Sequence, residues 1–113
     1  MSAQNWFNEV PFAITVCDVK GVVLEMNETS ALTFSKDGGK ALIGKSLLDC
    51  HSEKSKAMIM EMMQSEKVNI YTIEKNGQKK LIYQCPWYAE GKLSGLVELS
   101  IEIPNDIPHF VRG

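Results

Sequence analysis

Three runs rich in β-branched and aromatic residues occupy the last third of the chain, at residues 70–75, 80–88 and 93–103. Asn76-Gly77 separates the first two runs, and Gly91 lies in the turn between the second and the third. Asn-Gly between two such runs is a strong hairpin signal, because a type I′ turn requires positive φ at both central residues. The pattern therefore predicts a three-stranded antiparallel meander.

Two further strand candidates precede this meander, at residues 12–18 and 22–26, with Lys20-Gly21 in the tight turn between them. If both runs join the meander, the sheet has five strands. Strands, then short helices, then strands again is the order of an α+β protein. We therefore predict an α+β fold: a five-stranded antiparallel sheet with short helices packed on one face.

The helices are predicted between the two groups of strands. Asn27 can cap a helix over residues 28–34, and Gly44 begins a short helical segment through Leu48. Ser52 is a good N-cap for a longer helix over residues 53–64. That helix has one apolar stripe with helical spacing, formed by Met58, Ile59, Met62 and Met63.

The last run alternates between apolar and polar residues. Its apolar set is Val97, Leu99, Ile101 and Ile103, and its polar set is Glu98, Ser100 and Glu102. We expect the apolar set to face the helices. The strand at 22–26 is apolar on both faces, so the second face of the sheet is also expected to be covered. Either a second subunit or the arm at residues 3–10, with Trp6, Phe7 and Val10, could cover it.

Composition narrows the class of protein. Hydrophobic residues make up 44% of the chain and charged residues 23%, which argues against disorder. The net charge is −2 with no basic block, which disfavours direct contact with nucleic acid. No apolar run approaches the roughly 20 residues needed to span a bilayer, and no signal peptide is apparent. Three cysteines without a C-x-x-C pair favour the reducing cytoplasm over a disulfide framework.

Several segments, taken in order, resemble a PAS domain. Residues 18–27 (DVKGVVLEMN) combine a turn with Asp and Gly, a short apolar strand and an Asn that opens a helix. Residues 43–47 (IGKSL) are similar to the segment before the main PAS helix, and the closing meander resembles the last three PAS strands. The resemblance covers residues 10–103. It implies a sensory or ligand-binding module that commonly forms homodimers.

The domain division that follows has three parts, an arm at residues 1–11, a PAS domain at 12–103 and a tail at 104–113. A finer resemblance is to a bacterial PAS subgroup with a Leu-Leu-Asp-Cys-His segment, here residues 47–51. Some members of that subgroup are small stand-alone proteins, and the start at Met1 and the distinctive tail favour that organisation. No output domain is recognisable, so the resemblance implies signalling through a homodimer or an unidentified protein partner. The Asn-Cys-Arg-Phe-Leu-Gln segment of flavin-binding photosensory relatives is missing.

The resemblance also implies a cavity between the main helix and the sheet, mostly apolar with a few polar groups, as small-molecule sites generally are. Methionine is well suited to such a site, because its side chain adapts to irregular shapes. The alternative is a ligand-free dimerisation or adaptor module with a filled core. The candidate pocket residues are Val16, Glu25, Leu48, Cys50, His51, Met58, Met62, Thr72, Tyr83, Cys85, Trp87 and Leu99.

Cys50-His51, just before a helix, is the one pair that suggests chemistry. A thiol at such a position can have a lowered pKa, and both residue types ligate metals. Adjacent residues rarely bind one ion together, however, and the chain has no spaced Cys/His partner for them, so we predict no metal site. A nucleophile elbow, an H-E-x-x-H motif and a phosphate-binding glycine loop are all missing. We therefore predict a non-enzymatic protein, with a small enzyme using Cys50-His51 as the alternative.

Cys85-Pro86 lies inside a strand run. Because proline cannot donate to the strand ladder, it marks a bulge or an edge position. The dipeptide also resembles the one by which some haem-responsive proteins offer a thiolate to iron. Haem, with Cys85 or His51 as the axial ligand, is therefore an alternative cofactor.

Overall fold

The computed structural model describes residues 4–46 and 53–113. Every strand predicted from the sequence forms, and so do the helices expected near residues 28–34 and 53–64. The predicted cap at Ser52 lies outside the described residues. No helix in the described ranges is long and apolar enough to cross a bilayer. The elements in chain order are α1 (Gln4–Glu9), β1 (Ala13–Asp18), β2 (Val23–Met26), α2 (Glu28–Thr33), the 3-10 turns Ser35–Asp37 and Gly39–Leu42, α3 (Glu53–Ser65), β3 (Asn69–Lys75), β4 (Gln78–Ala89) and β5 (Lys92–Ile103).

The five strands form one antiparallel sheet in the order β2-β1-β5-β4-β3. Asn76 and Gly77 join β3 to β4 with φ values of 53° and 77°, as a type I′ turn requires. Glu90 and Gly91 make a similar tight turn between β4 and β5, with φ values of 53° and 78°. The first hairpin joins the meander through β1, which pairs with β5 so that Thr15 lies opposite Glu98.

Asn27 fixes α2 on the sheet. Its side chain is fully buried, and its Oδ1 atom accepts hydrogen bonds from the backbone N–H groups of Ser30 at 2.9 Å and Ile14 at 3.0 Å. Its Nδ2 atom donates to the carbonyl oxygen of Phe12 at 2.9 Å. The expected helix cap is therefore also a brace between α2 and β1, and Thr15 and Ser30 add a hydroxyl–hydroxyl contact of 2.6 Å.

The faces of the sheet are the reverse of the sequence prediction. Cys17 and Leu96 form a core cluster with Met63 of α3, so these two strand positions face the helices. Strand side chains alternate between faces, and Glu98 and Ser100 therefore lie on the same side as Leu96. The expectation that Val97, Leu99, Ile101 and Ile103 face the helices was wrong. The β5 register sets the faces, because Thr15, which contacts α2, lies opposite Glu98.

The arm α1 packs against α2, where Thr29 Oγ1 donates to the carbonyl oxygen of Val10 at 2.9 Å. Trp6 makes an edge-to-face contact with Phe7 and remains 59% exposed. The arm was one of two covers expected for the second face of the sheet, but its contacts lie beside α2. We define the second face by six half-buried residues: Val16, Tyr83, Cys85, Val97, Leu99 and Ile101.

A turn at residues 44–46 hydrogen-bonds along the outer edge of β2. The backbone N–H of Val23 donates to the carbonyl oxygen of Lys45 at 3.0 Å, and that of Gly44 donates to the carbonyl oxygen of Val23 at 2.8 Å. Ser46 also forms an isolated bridge with Val22. Residues 44–46 therefore form a turn and a single bridge beside β2, and the prediction that a helical segment begins at Gly44 was wrong.

Candidate ligand cavity

A cavity of about 590 Å³ lies between α3 and the helix-facing side of the sheet. Its volume is in the range of small-molecule sites in proteins, roughly 300–1,000 Å³. Most of its walls are apolar. The apolar lining residues come from α3 (Met58, Ile59, Met62), from the segment after α2 (Phe34, Leu42) and from the sheet (Cys17, Val23, Met26, Tyr71, Ile73, Ile82, Leu96).

The helix α3 is anchored on the sheet by a narrow stripe. Ile59 and Met63 are buried, and Met63 packs on the helix-facing side of β1 and β5. Met58 is 50% exposed although it lines the cavity, and Met60 is 42% exposed. One side of α3 is therefore not packed against the sheet, and the space between them is open.

Polar side chains cross the floor of this cavity in a single row. Asn69, Gln84, Glu98 and Thr15 are successive register partners on β3, β4, β5 and β1. Asn69 Nδ2 donates to Gln84 Oε1 at 3.0 Å, and Gln84 Nε2 donates to Glu98 Oε2 at 2.7 Å. A carboxylate thus stands near the middle of a largely apolar chamber.

Two titratable residues that line the cavity, Cys17 and Tyr71, have pKa values shifted toward their neutral forms. Burial raises the pKa of the Cys17 thiol from 9.0 to about 11, opposed by a hydrogen bond with the Leu96 backbone and reinforced by the charges of Asp18 and Glu98. Burial also raises the pKa of Tyr71, with a further increase from Glu98 and a decrease from a hydrogen bond with Gln84. Cys17 is therefore a neutral thiol near pH 7, which makes it a poor nucleophile and a poor metal ligand.

The structure brings together only part of the predicted pocket. Met58 and Met62 line the cavity. Leu48, Cys50 and His51 lie outside the described residues. Five others alternate with cavity-lining neighbours and so project from the second side of the sheet: Val16, Thr72, Tyr83, Cys85 and Leu99.

The remaining two predicted residues have other surroundings. Trp87 packs across β5, where its indole Nε1 donates to the backbone carbonyl of Cys17 at 2.9 Å. Glu25 lines a shallow depression at the β2 edge with Phe7, Leu24 and Ile43. Neither residue contributes to the lining of the larger cavity.

The polar row was not predicted from the sequence, although the pairing of Asn69 with Gln84 can be deduced from it. In the Asn76-Gly77 hairpin, Lys75 pairs with Gln78, and counting back from that pair places Asn69 opposite Gln84. The position of Glu98 is harder to deduce, because a bulge between Trp87 and Tyr88 shifts the register of β4 on β5. The alternation of β5 then favoured the wrong face for Glu98.

The described residues offer little support for a metal or haem ligand. No group of three or more His, Cys, Asp or Glu residues that could hold a metal ion occurs among residues 4–46 and 53–113. Cys85 projects from the side of the sheet opposite the cavity, and burial raises the pKa of its thiol, which disfavours the thiolate. The pairing of β4 with β3 ends at Gln84, so one side of β4 has no strand partner at Pro86. This agrees with the edge position expected for a proline in a strand.

No protein-family model matches the sequence, and no curated protein matches it. Solved structures, in contrast, match most of the chain, with coverages of 81% to 93% among those compared. The PAS domain of an HTR-like protein from Haloarcula marismortui has a TM-score of 0.63 at 15% identity, covering 88% of this chain and 88% of that one. The VqmA dimer of Vibrio cholerae, a receptor with a target DNA, has a TM-score of 0.70 at 10% identity, covering 93% of this chain and 54% of that chain.

The Aer2 receptor of Vibrio cholerae, described as a dual PAS-heme oxygen sensor, has a TM-score of 0.60 at 11% identity. That match covers 82% of this chain and 95% of the receptor chain. At identities this low, the matches show that the proteins share a fold, and they do not show a common ligand or partner. The strand order, the helix-covered face and these matches together show that the chain has a PAS-like fold.

Proposed function

We propose that this protein is a sensory module that binds a small organic molecule in the cavity between α3 and the sheet. The observation that carries the proposal is the open volume of about 590 Å³ beneath a helix anchored by only a narrow stripe. The role is binding rather than catalysis. The sensory roles of two structural neighbours, an oxygen sensor and a sensor histidine kinase, support the same class of function.

The proposed signal is a change in how α3 packs on the sheet. A ligand can drive such a change only by binding two arrangements of the protein with unequal affinity. A molecule in the cavity would contact Met58 and Met62 on one side and the strand floor on the other. It would therefore favour one position of α3 over others, and a protein partner or the second subunit would receive that change.

Native mass spectrometry of the purified protein tests the binding role. Ser100 lies on the cavity floor, and Ser100→Phe would fill part of the volume with a ring. Thr72 is exposed and projects to the opposite side, so Thr72→Phe is the matched control. We expect a bound small molecule on the wild type and on Thr72→Phe, and its loss from Ser100→Phe. A molecule retained by Ser100→Phe, or none on any of the three, would argue for a ligand-free adaptor.

We further infer that the second face of the sheet binds another copy of the same chain. Its six half-buried residues, which include Leu99 and Val97, form an apolar surface, and such surfaces commonly mark interfaces. One structural neighbour is itself described as a dimer. A second copy would present the same surface about a two-fold axis, so each apolar face would cover the other.

The oligomeric state of two glutamate variants tests this interface. Leu99→Glu places a charge on the second face, whereas Leu24→Glu places one at a 40% exposed position on β2. We expect the wild type and Leu24→Glu to be dimers, and Leu99→Glu to be a folded monomer by circular dichroism and native mass spectrometry. A monomeric wild type, or a dimeric Leu99→Glu variant, would exclude this interface.

A further inference from the structure

The hydrogen bonds of the polar row all point in one direction. Gln84 is 9% exposed, and both ends of its amide are used, the oxygen by Asn69 and the nitrogen by Glu98, with a further hydrogen bond to the Tyr71 hydroxyl. Reversing the Gln84 amide would place N–H against N–H and oxygen against carboxylate. The chain of donors therefore ends on Glu98, which is its final acceptor.

The charge of Glu98 is incompletely matched. Gln84 donates to its Oε2 atom, but no Lys, Arg or His in the described part of the chain forms an ion pair with it. Its second oxygen, Oε1, has no hydrogen-bond donor among the same residues. A carboxylate that is partly withdrawn from water gains most from a charged donor, because such hydrogen bonds are about twice as strong as neutral ones.

Of the lysines that line the cavity, Lys75 and Lys80 lie toward the ends of β3 and β4 that are away from Glu98. Lys80 lies four residues along β4 from Gln84, a separation of about 13 Å at ~3.3 Å per residue. Lys36 and Lys75 are exposed, so water and salt screen their charges. The residues that flank Glu98 on this side of the sheet, Gln84, Thr15, Leu96 and Ser100, are uncharged. The groups around Glu98 therefore favour a ligand that carries a positive charge on an apolar body.

We propose that the cavity binds a small organic molecule with an apolar body and a protonated amine, and that the amine donates hydrogen bonds to Glu98. This inference rests on the binding role proposed above and specifies the class of ligand. The methionine-rich flank of α3 would contact the apolar body, because methionine adapts its shape to what it covers. The ammonium group would complete the row that runs from Asn69 through Gln84.

Three probes of equal chain length test the proposal: hexylamine, hexanol and hexanoate, titrated calorimetrically at neutral pH into the wild type. Glu98→Gln removes the charge at nearly constant shape. Glu102→Gln is the matched control, because Glu102 is an exposed residue of the same strand that does not line the cavity. A hydrogen bond to a charged group contributes ~1.5–3 kcal/mol, so we expect hexylamine to bind the wild type roughly 10-fold to 100-fold tighter than hexanol.

Glu98→Gln should abolish that preference, and Glu102→Gln should retain it. Equal affinity for hexylamine in Glu98→Gln and the wild type would overturn the assignment of Glu98. Tighter binding of hexanoate than of hexylamine would assign the ligand to the lysines, and equal binding of hexanol and hexylamine to the wild type would overturn the cationic class. In these cases the cavity remains a binding site. Failure of all three probes to bind the wild type would overturn both the inference and the binding role.

Discussion

The indole Nε1 of Trp87 donates a hydrogen bond to the backbone carbonyl oxygen of Cys17 at 2.9 Å, although the two residues are 70 positions apart. Trp87 belongs to β4 and Cys17 to β1, and β5 lies between these strands. Gly95, the β5 residue at this crossing, pairs with both Trp87 and Asp18. The tryptophan thus ties three strands together at the end of the sheet next to the Glu90-Gly91 turn.

Trp87→Phe tests the contribution of that hydrogen bond. Phenylalanine keeps an aromatic ring over Gly95 but has no N–H donor for the Cys17 carbonyl. We expect a loss of about 1–2 kcal/mol in the free energy of unfolding, the usual range for one partly buried hydrogen bond with some lost packing. Urea denaturation followed by far-UV circular dichroism measures it. A midpoint equal to that of the wild type would mean that water replaces the indole without cost.

Gly95→Ala should be much more damaging, because a Cβ atom at Gly95 would overlap the Cys17 carbonyl oxygen and approach Trp87 Nε1 to 2.6 Å. We expect a loss of at least about 3 kcal/mol in unfolding free energy, or failure to fold. Gly91→Ala is the control, because Gly91 also has positive φ, 78°, but no atom within 4 Å of the added carbon. It should lose only about 1–2 kcal/mol of backbone energy. Equal losses in the two variants would show that conformational strain, not the crossing, determines the effect at Gly95.

Asn27→Ala removes three hydrogen bonds from a fully buried position, to Ser30, Ile14 and Phe12. Loss of a helix N-cap costs about 1 kcal/mol, and each buried group left unsatisfied costs about 1–3 kcal/mol more. We therefore expect a loss of about 3 kcal/mol or more in unfolding free energy, measured by thermal or urea denaturation. Thr33→Val, which removes one exposed hydrogen bond to the Thr29 carbonyl, should change stability by less than about 1 kcal/mol. Comparable losses would contradict the role of Asn27 as a brace.

The raised pKa of Cys17 predicts a loss of stability at alkaline pH. The unfolded thiol ionises near its ordinary pKa of 9.0, whereas the folded one ionises near 11. Between these values the unfolded state binds fewer protons, so the free energy of unfolding falls as pH rises. From about pH 8 to about pH 10.5, the wild type should lose about 2 kcal/mol more than Cys17→Ala.

Urea denaturation of both proteins at the two pH values isolates this effect, because other alkaline titrations occur in both and cancel in the comparison. The stability that Cys17→Ala loses through its smaller side chain also cancels, because each protein at high pH is compared with the same protein at low pH. Identical pH dependence in the two proteins would show that Cys17 is not protected from ionisation.

Local sequence signals determine most of the secondary structure of this fold. Asn76-Gly77 specifies a turn that few other dipeptides could make, and Asn27 specifies a helix start by its hydrogen-bonding capacity. The order of the strands was not predicted, since both β3 and β5 have a free side in the meander and β1 pairs with β5. The helix predicted over residues 53–64, from the Ser52 cap and the spacing of its methionines and isoleucine, forms as α3 (Glu53–Ser65).

The sequence did not determine which face of β5 meets the helices. Four apolar residues on one face and Glu98, Ser100 and Glu102 on the other indicate a buried and a solvated side. The polar side is nevertheless the one under α3, because Gln84 and Thr15, from two other strands, lie beside Glu98. A pairing between strands is not visible in the alternation of one strand. A shift of one residue in register exchanges every side chain between faces, so an error there reverses the whole pocket.

The two borders of the sheet are unlike each other. Residues 44–46 already hydrogen-bond along β2, which leaves little backbone free on that side. Among the described strands, β3 has a neighbour on one side only, and the side chains of Ile70, Tyr71 and Ile73 along it are exposed. An extended peptide could therefore add a strand to this sheet at β3 and not at β2. The charged residues Glu74 and Lys75 oppose unspecific edge-to-edge pairing of β3 with other strands.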